Sequence, residues 1–118
     1  MTNPLKGEIS LNIGGTEYKA RLTVDAIMQI ENSVGCGILK LAQRMSEADI
    51  RVSDIIAVLT PALRGGGKDM KHGDVSKIIA DVGIVEATTA VANLLTMAIS
   101  PKDDSMEDSE GKSQKKES

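Results

Sequence analysis

Apolar and polar residues alternate strictly at the start of the chain. Ile9, Leu11 and Ile13 interleave with Glu8, Ser10 and Asn12. After Gly14-Gly15, Tyr18, Ala20 and Leu22 interleave with Glu17, Lys19 and Arg21. A period of two predicts two half-buried strands, and a Gly-Gly pair supplies the positive φ angles of a tight hairpin turn. That turn sets the register. Ile13 faces Thr16, Leu11 faces Tyr18 and Ile9 faces Ala20 on one side. On the other, Asn12 faces Glu17, Ser10 faces Lys19 and Glu8 faces Arg21, an opposite-charge pair. A slip of one residue mixes the faces. Two strands alone are marginal in water, so the apolar side requires helices against it.

From Thr23 the period lengthens. Ile27, Ile30 and Val34 fall on one helical face, with Thr23 as N-cap, Asp25 near the positive end of the helix dipole and Gly35 as the left-handed terminator. Gly37 restarts the chain into a short helix over Ile38–Met45 with Ile38, Leu41, Ala42 and Met45 inward. Ser46–Val52 reads as a connector with a brief extended piece at Ile50–Val52. Ser53 is the expected cap of a helix from Asp54, with Ile55, Leu59, Ala62 and Leu63 inward and a kink or early end at Pro61. Gly65-Gly66-Gly67 and Lys68–Gly73 read as loop, and Asp74 as the cap of Val75–Val82. A last helix spans Ile84–Ser100 after Gly83. It is apolar at 84, 85, 87, 90, 91, 92, 94, 95, 97, 98 and 99, wider than the stripe a surface helix needs. Such a helix is either the centre of the core or partly a contact for another chain. The expected fold class is α+β: an N-terminal β-hairpin packed on four to five short helices.

The pattern stops at Pro101. From there to Ser118 the one large apolar side chain is Met106, among six acids and four lysines. A segment this polar cannot bury enough to offset its ordering entropy. The expected organisation is therefore one domain over 1–100 and a disordered polar tail over 101–118, either a solubilising tail or one ordered by a partner.

Composition narrows the chemistry. One Tyr and no Phe or Trp in 118 residues leave no stacking platform for bases, and a net charge of −3 opposes a nucleic-acid coat. One Cys and one His cannot build a zinc site of several such ligands. The lone Cys36 makes no internal disulfide, which suits a cytoplasmic protein. No apolar run of about eighteen residues predicts a transmembrane helix, and Met1–Pro4 opens no signal peptide. Gly65-Gly66-Gly67-Lys68 is followed by Asp69 and preceded by a helix, so it lacks the phosphate-loop pattern. His72 reads as a solvated loop histidine, Cys36 as a small buried hydrophobe, and Asp49 and Asp54 as capping or solvated acids. No nucleophile, metal cage or cofactor cradle emerges. The expectation is a non-enzymatic protein that binds other proteins, with no cofactor.

The order of segments carries a resemblance. "GEISLNIGGTEYKARLT" runs into "VDAIMQIENSVGCGILKLAQRM", then "VSDIIAVLTPALRGGG" and "DVSKIIADVGIVEATTAVANLLTMAI". Over about residues 7–100 this resembles the small gene-transfer-agent-family proteins encoded among tail genes of alphaproteobacterial prophages and gene transfer agents. They are grouped with phage tail assembly chaperones, and some family descriptions call them tail tube proteins. The resemblance implies a chaperone that binds the tape-measure protein and tail tube subunits in the bacterial cytoplasm, with no nucleic acid or membrane partner and homo-oligomerisation open. A chaperone needs accessible apolar surface. The candidate is the last helix, with Val91, Leu94, Leu95 and Ala98 on one stripe and Val85, Ala92 and Ile99 on a second. A structural tail component retained in the particle is the first alternative. The second is a small DNA-binding regulator using Thr23–Met45 as a helix-turn-helix, whose second helix offers Lys40, Gln43 and Arg44.

Overall fold

The hairpin forms in the expected register. The computed structural model describes residues 7–99; the segment expected as a polar tail lies outside the described residues. Strands β1 (Glu8–Ile13) and β2 (Thr16–Arg21) pair antiparallel from Glu8 opposite Arg21 to Ile13 opposite Thr16. Gly14 and Gly15 take φ of 62° and 89° at the turn. Leu11, Ile13 and Ala20 are buried, with Ile9 and Tyr18 packed beside them. The ion pair differs from expectation. Glu8 meets Lys19 diagonally at 3.9 Å rather than Arg21 across the ladder. Lys19 is mostly exposed, so the pair contributes little to stability.

Five helices follow: α1 (Val24–Val34), α2 (Ile38–Ser46), α3 (Val52–Gly65), α4 (His72–Val82) and α5 (Ile84–Ile99). The fold is α+β. β2 packs on α3 and β1 on α5; α3 also meets α1, α4 and α5, and α2 lies against α5. Thr23 caps α1, its Oγ1 accepting the Ala26 amide at 3.0 Å, and Gly35 ends it at φ 83°. The buried stripe of α1 is Ala26, Ile30 and Val34, with Ile27 half-buried. Leu41 is the fully buried residue of α2.

Helices α3 and α4 start earlier than their cap signals suggest. Ser53 does not cap α3; the helix begins at Val52, with Arg51 as its N-cap. Asp54 sits in the first turn and its Oδ2 accepts the Arg51 amide at 3.0 Å. In the same way Asp74 Oδ2 accepts the Lys71 amide at 3.0 Å, and α4 begins at His72. The acids act from inside the first turn, reaching back to an orphan amide, as in the reciprocal half of a capping box. His72 is therefore an exposed helical residue rather than a loop one. The extended piece expected at 50–52 is absent, since Val52 is already helical.

Pro61 does not end α3, which runs on to Gly65. Its environment is apolar and buried on every side, with Val58, Leu59, Ala62 and Leu63 fully enclosed. This burial outweighs the loss of one backbone hydrogen bond. Nor are the glycines that follow simply a flexible loop. A Cβ on Gly65 would overlap the Arg21 carbonyl, and one on Gly66 would overlap the Lys19 carbonyl and the Ala20 amide. The missing side chains let the end of α3 lie directly on the β2 backbone. Helix α2 closes with the Ala48 amide on the Met45 carbonyl (3.0 Å) and the Asp49 amide on the Arg44 carbonyl (2.8 Å). This Schellman arrangement puts Ala48 at φ 59°, where glycine is usual.

Candidate functional site: one face of α5 and the groove beside α2

Helix α5 contains a single charged residue, Glu86. Glu86 Oε2 accepts the Gly14 amide at 3.2 Å, tying the start of the helix to the hairpin turn. Gly83, at φ 94°, separates α5 from α4, and the Ala87 amide bonds back to the Gly83 carbonyl at 3.1 Å. One side of α5 is core: Ala87, Ala90, Val91, Leu94 and Leu95 are buried. The other side is open. Val85 is 81% exposed and Ile84 55%.

The two stripes expected to make contacts therefore separate. Val91, Leu94 and Leu95 belong to the hydrophobic core, which corrects their assignment as contact surface; Ala98, placed with them, is exposed. Of the second stripe, Val85 is exposed, and Ala92 and Ile99 are half-buried. Between them lie Thr89 and Thr96, both exposed. An outward line of Val85, Thr89 and Thr96 is flanked on one side by the exposed Asn93 and Met97 and on the other, beside α2, by the half-buried Ala92 and Ile99. The two threonines escaped the sequence reading because they count as polar. Thr89 Oγ1, however, donates to the Val85 carbonyl at 3.0 Å within its own helix, which satisfies the hydroxyl locally.

At the C-terminal half of this line a groove opens between α5 and α2. It encloses about 350 Å³ and is lined by Ala42, Met45 and Ser46 from one helix and Ala92, Leu95, Thr96 and Ile99 from the other. No charged side chain lines it. The groove can receive an apolar side chain or the ridge of a helix; the polar side chains in its lining are Ser46 and Thr96.

The polar residues with the densest bonding lie elsewhere. Asp54 is 2% exposed at the start of α3. Arg44 Nη2 donates to its Oδ2 at 2.7 Å, and Arg51 donates from Nε to Oδ2 at 3.2 Å and from Nη2 to Oδ1 at 3.1 Å. Burial pushes the Asp54 carboxyl up, but the bonds from the Arg51 side chain and backbone and from Arg44, with the Arg44 charge, outweigh it and hold Asp54 below its ordinary value. Arg44 also reaches Asp49 (3.4 Å) and the Cys36 sulfur (3.7 Å). Its guanidinium is raised further above its ordinary value, chiefly by the Cys36 contact and then by Asp54, against the opposing effect of burial. The cluster clamps α2 to α3. It had one sequence signal, an acid three residues after an arginine at a helix start. It also occupies Arg44, leaving Lys40 and Gln43 of the three α2 side chains considered for reading DNA. Among the described residues no three His, Cys, Asp or Glu side chains converge to hold a metal ion, and no single helix is long and apolar enough to cross a membrane.

A family model described as "Phage tail tube protein, GTA-gp10" matches residues 6–100. The chain belongs to this family. Membership in the GTA-gp10 family covers every element from β1 to α5 and places the chain among tail proteins of phages and gene transfer agents. Neither a curated protein nor a solved structure matches the chain.

Proposed function

We propose that this GTA-gp10 family member serves tail morphogenesis as a non-catalytic assembly chaperone in the bacterial cytoplasm, binding the tape-measure protein and tail subunits before they enter the particle. One observation carries this reading: a small domain leaves the apolar side chains Ile84, Val85 and Met97 of one helix and an apolar groove open to solvent. Transient partners are held by such surfaces through apolar contact, with no need for a reactive group. Co-expression with the product of the neighbouring tape-measure gene tests it. The tape-measure chain should become more soluble and co-purify with this protein, and introducing a charge at Val85 or Ala92 should weaken the capture. Equal solubility without this protein overturns the reading.

The family description favours a second reading, a tube or tip component retained in the particle. Against it stands the small sheet: the described residues form two strands of six residues, little edge from which to build rings through strand pairing. Mass spectrometry of purified particles separates the two. Stoichiometric peptides from this chain establish the structural role, and their absence from tail-complete particles supports the chaperone.

A further inference from the structure

Helix α2 is the helix with the fewest buried side chains. Of its nine residues Leu41 is the fully buried one; Ile38, Ala42, Arg44 and Met45 are half-buried, and Leu39 is 67% exposed. A helix this short is not stable without packing. Much of what holds α2 is polar and sits toward its two ends. Its N-cap, Gly37, has no side chain to offer, and Glu31 of α1 takes that part, its Oε2 accepting the Ile38 amide at 2.9 Å. Toward the other end Arg44 reaches Asp54 at 2.7 Å. We infer that α2 is a strap fastened by these two contacts, and that it opens as one unit while the rest of the domain stays folded.

The other elements hold together without α2. Helix α1 packs directly on α3, α3 on β2, α4 and α5, and β1 on α5, so these contacts survive its departure. The chain turns through a left-handed residue on each side of it, Gly35 at φ 83° before and Ala48 at φ 59° after. Short connections of this kind are where hinge rotation is absorbed. Opening also leaves no buried charge alone, which is the costly outcome when an ion pair separates. Asp54 keeps its bonds from the Arg51 amide, Nε and Nη2, while Arg44 and Glu31 pass into water.

Opening uncovers the flank of α5 that lies against α2. Leu95, 2% exposed, and the half-buried Ala92 and Ile99 line the space between the two helices together with Ala42 and Met45. The apolar area that α5 presents therefore grows when the strap opens, beyond Ile84, Val85 and Met97, which are exposed already. The opening is a property of this chain alone. Its use by a tail partner rests on the assembly reading above: a partner that binds the uncovered flank shifts the equilibrium by as much as it prefers the open form.

Native-state hydrogen exchange of the full chain, read by NMR with no tail protein present, tests the strap. The amides from Leu41 to Ser46 should share one opening equilibrium and be about a hundredfold or more less protected than those of Leu59 and Leu63. Their exchange should also respond less to urea, since less surface is exposed when α2 alone leaves. Glu31→Ala removes the contact at the first turn and should speed exchange about fivefold to tenfold at Leu41 and at Ser46 alike. Ile13→Val, in the hairpin, lowers global stability; it should speed Leu59 and Leu63 about threefold to tenfold and leave α2 unchanged. Protection in α2 equal to that in α3, a response to Glu31→Ala confined to Leu41, or equal acceleration of α2 by Ile13→Val overturns the inference. None of these outcomes bears on tape-measure capture, and a failure of capture leaves the strap standing.

Discussion

Helices α3 and α5 are the two apolar helices of this protein, and they spend that character differently. Around α3 the chain closes on all sides: α1, α4, α5 and β2 pack on it, and even Thr60 and Pro61 are buried. Its ends are secured, one by the Asp54 cluster and the other by glycines seated on β2. Helix α5 is packed on one side, is tied at its start through Glu86, and leaves Ile84, Val85 and Met97 facing solvent. Apolar width thus has two meanings in one small domain. In α3 it is consumed by folding; in α5 part of it stays exposed, at Ile84, Val85 and Met97.

The largest effect should separate the two helices directly. Leu59→Ala, at a fully buried site in α3, should cost about 2–5 kcal/mol in denaturant unfolding. Val85→Ala on α5 should change stability by less than about 0.5 kcal/mol. A large loss at Val85 in the dilute chain would erase the distinction. Asp54→Ala should cost about 3 kcal/mol, because Arg44 and Arg51 both lose the buried carboxylate and Arg44 is left with Asp49 alone, which is mostly exposed. Its pH dependence has a definite sign. The folded Asp54 is held below 3.8, so its contribution is fully present above that value and is lost as pH falls through the lower, folded value. Acid titration of stability should therefore lose steepness in Asp54→Ala. Gly66→Ala should cost about 2 kcal/mol by forcing α3 off the β2 backbone, seen as a lowered urea midpoint. The smallest effect has the opposite sign: Ala48→Gly should stabilise by about 0.5–1 kcal/mol, since Ala48 holds a left-handed conformation.

Local rules carried the hairpin, its register, the Thr23 cap, the Gly35 stop and the break at Gly83, because each depends on residues close in the chain. The same rules misplaced the starts of α3 and α4. There the capping acid lies inside the helix, and a serine at 53 offered a nearer but unused oxygen. An early end was one of the two outcomes expected at Pro61 because propensity is local, whereas the burial around it comes from four other elements, and α3 continues to Gly65.

The linear order of residues was enough to mark Ile84–Ile99 as apolar beyond what one core face needs, and to show that reactive side chains are scarce. Which part of that circumference turns outward depends on where α2, α3, α4 and β1 come to rest, and hydropathy along one helix holds no information about its neighbours. For that reason Val91, Leu94 and Leu95 proved to be core, while Val85, Thr89 and Thr96 face outward.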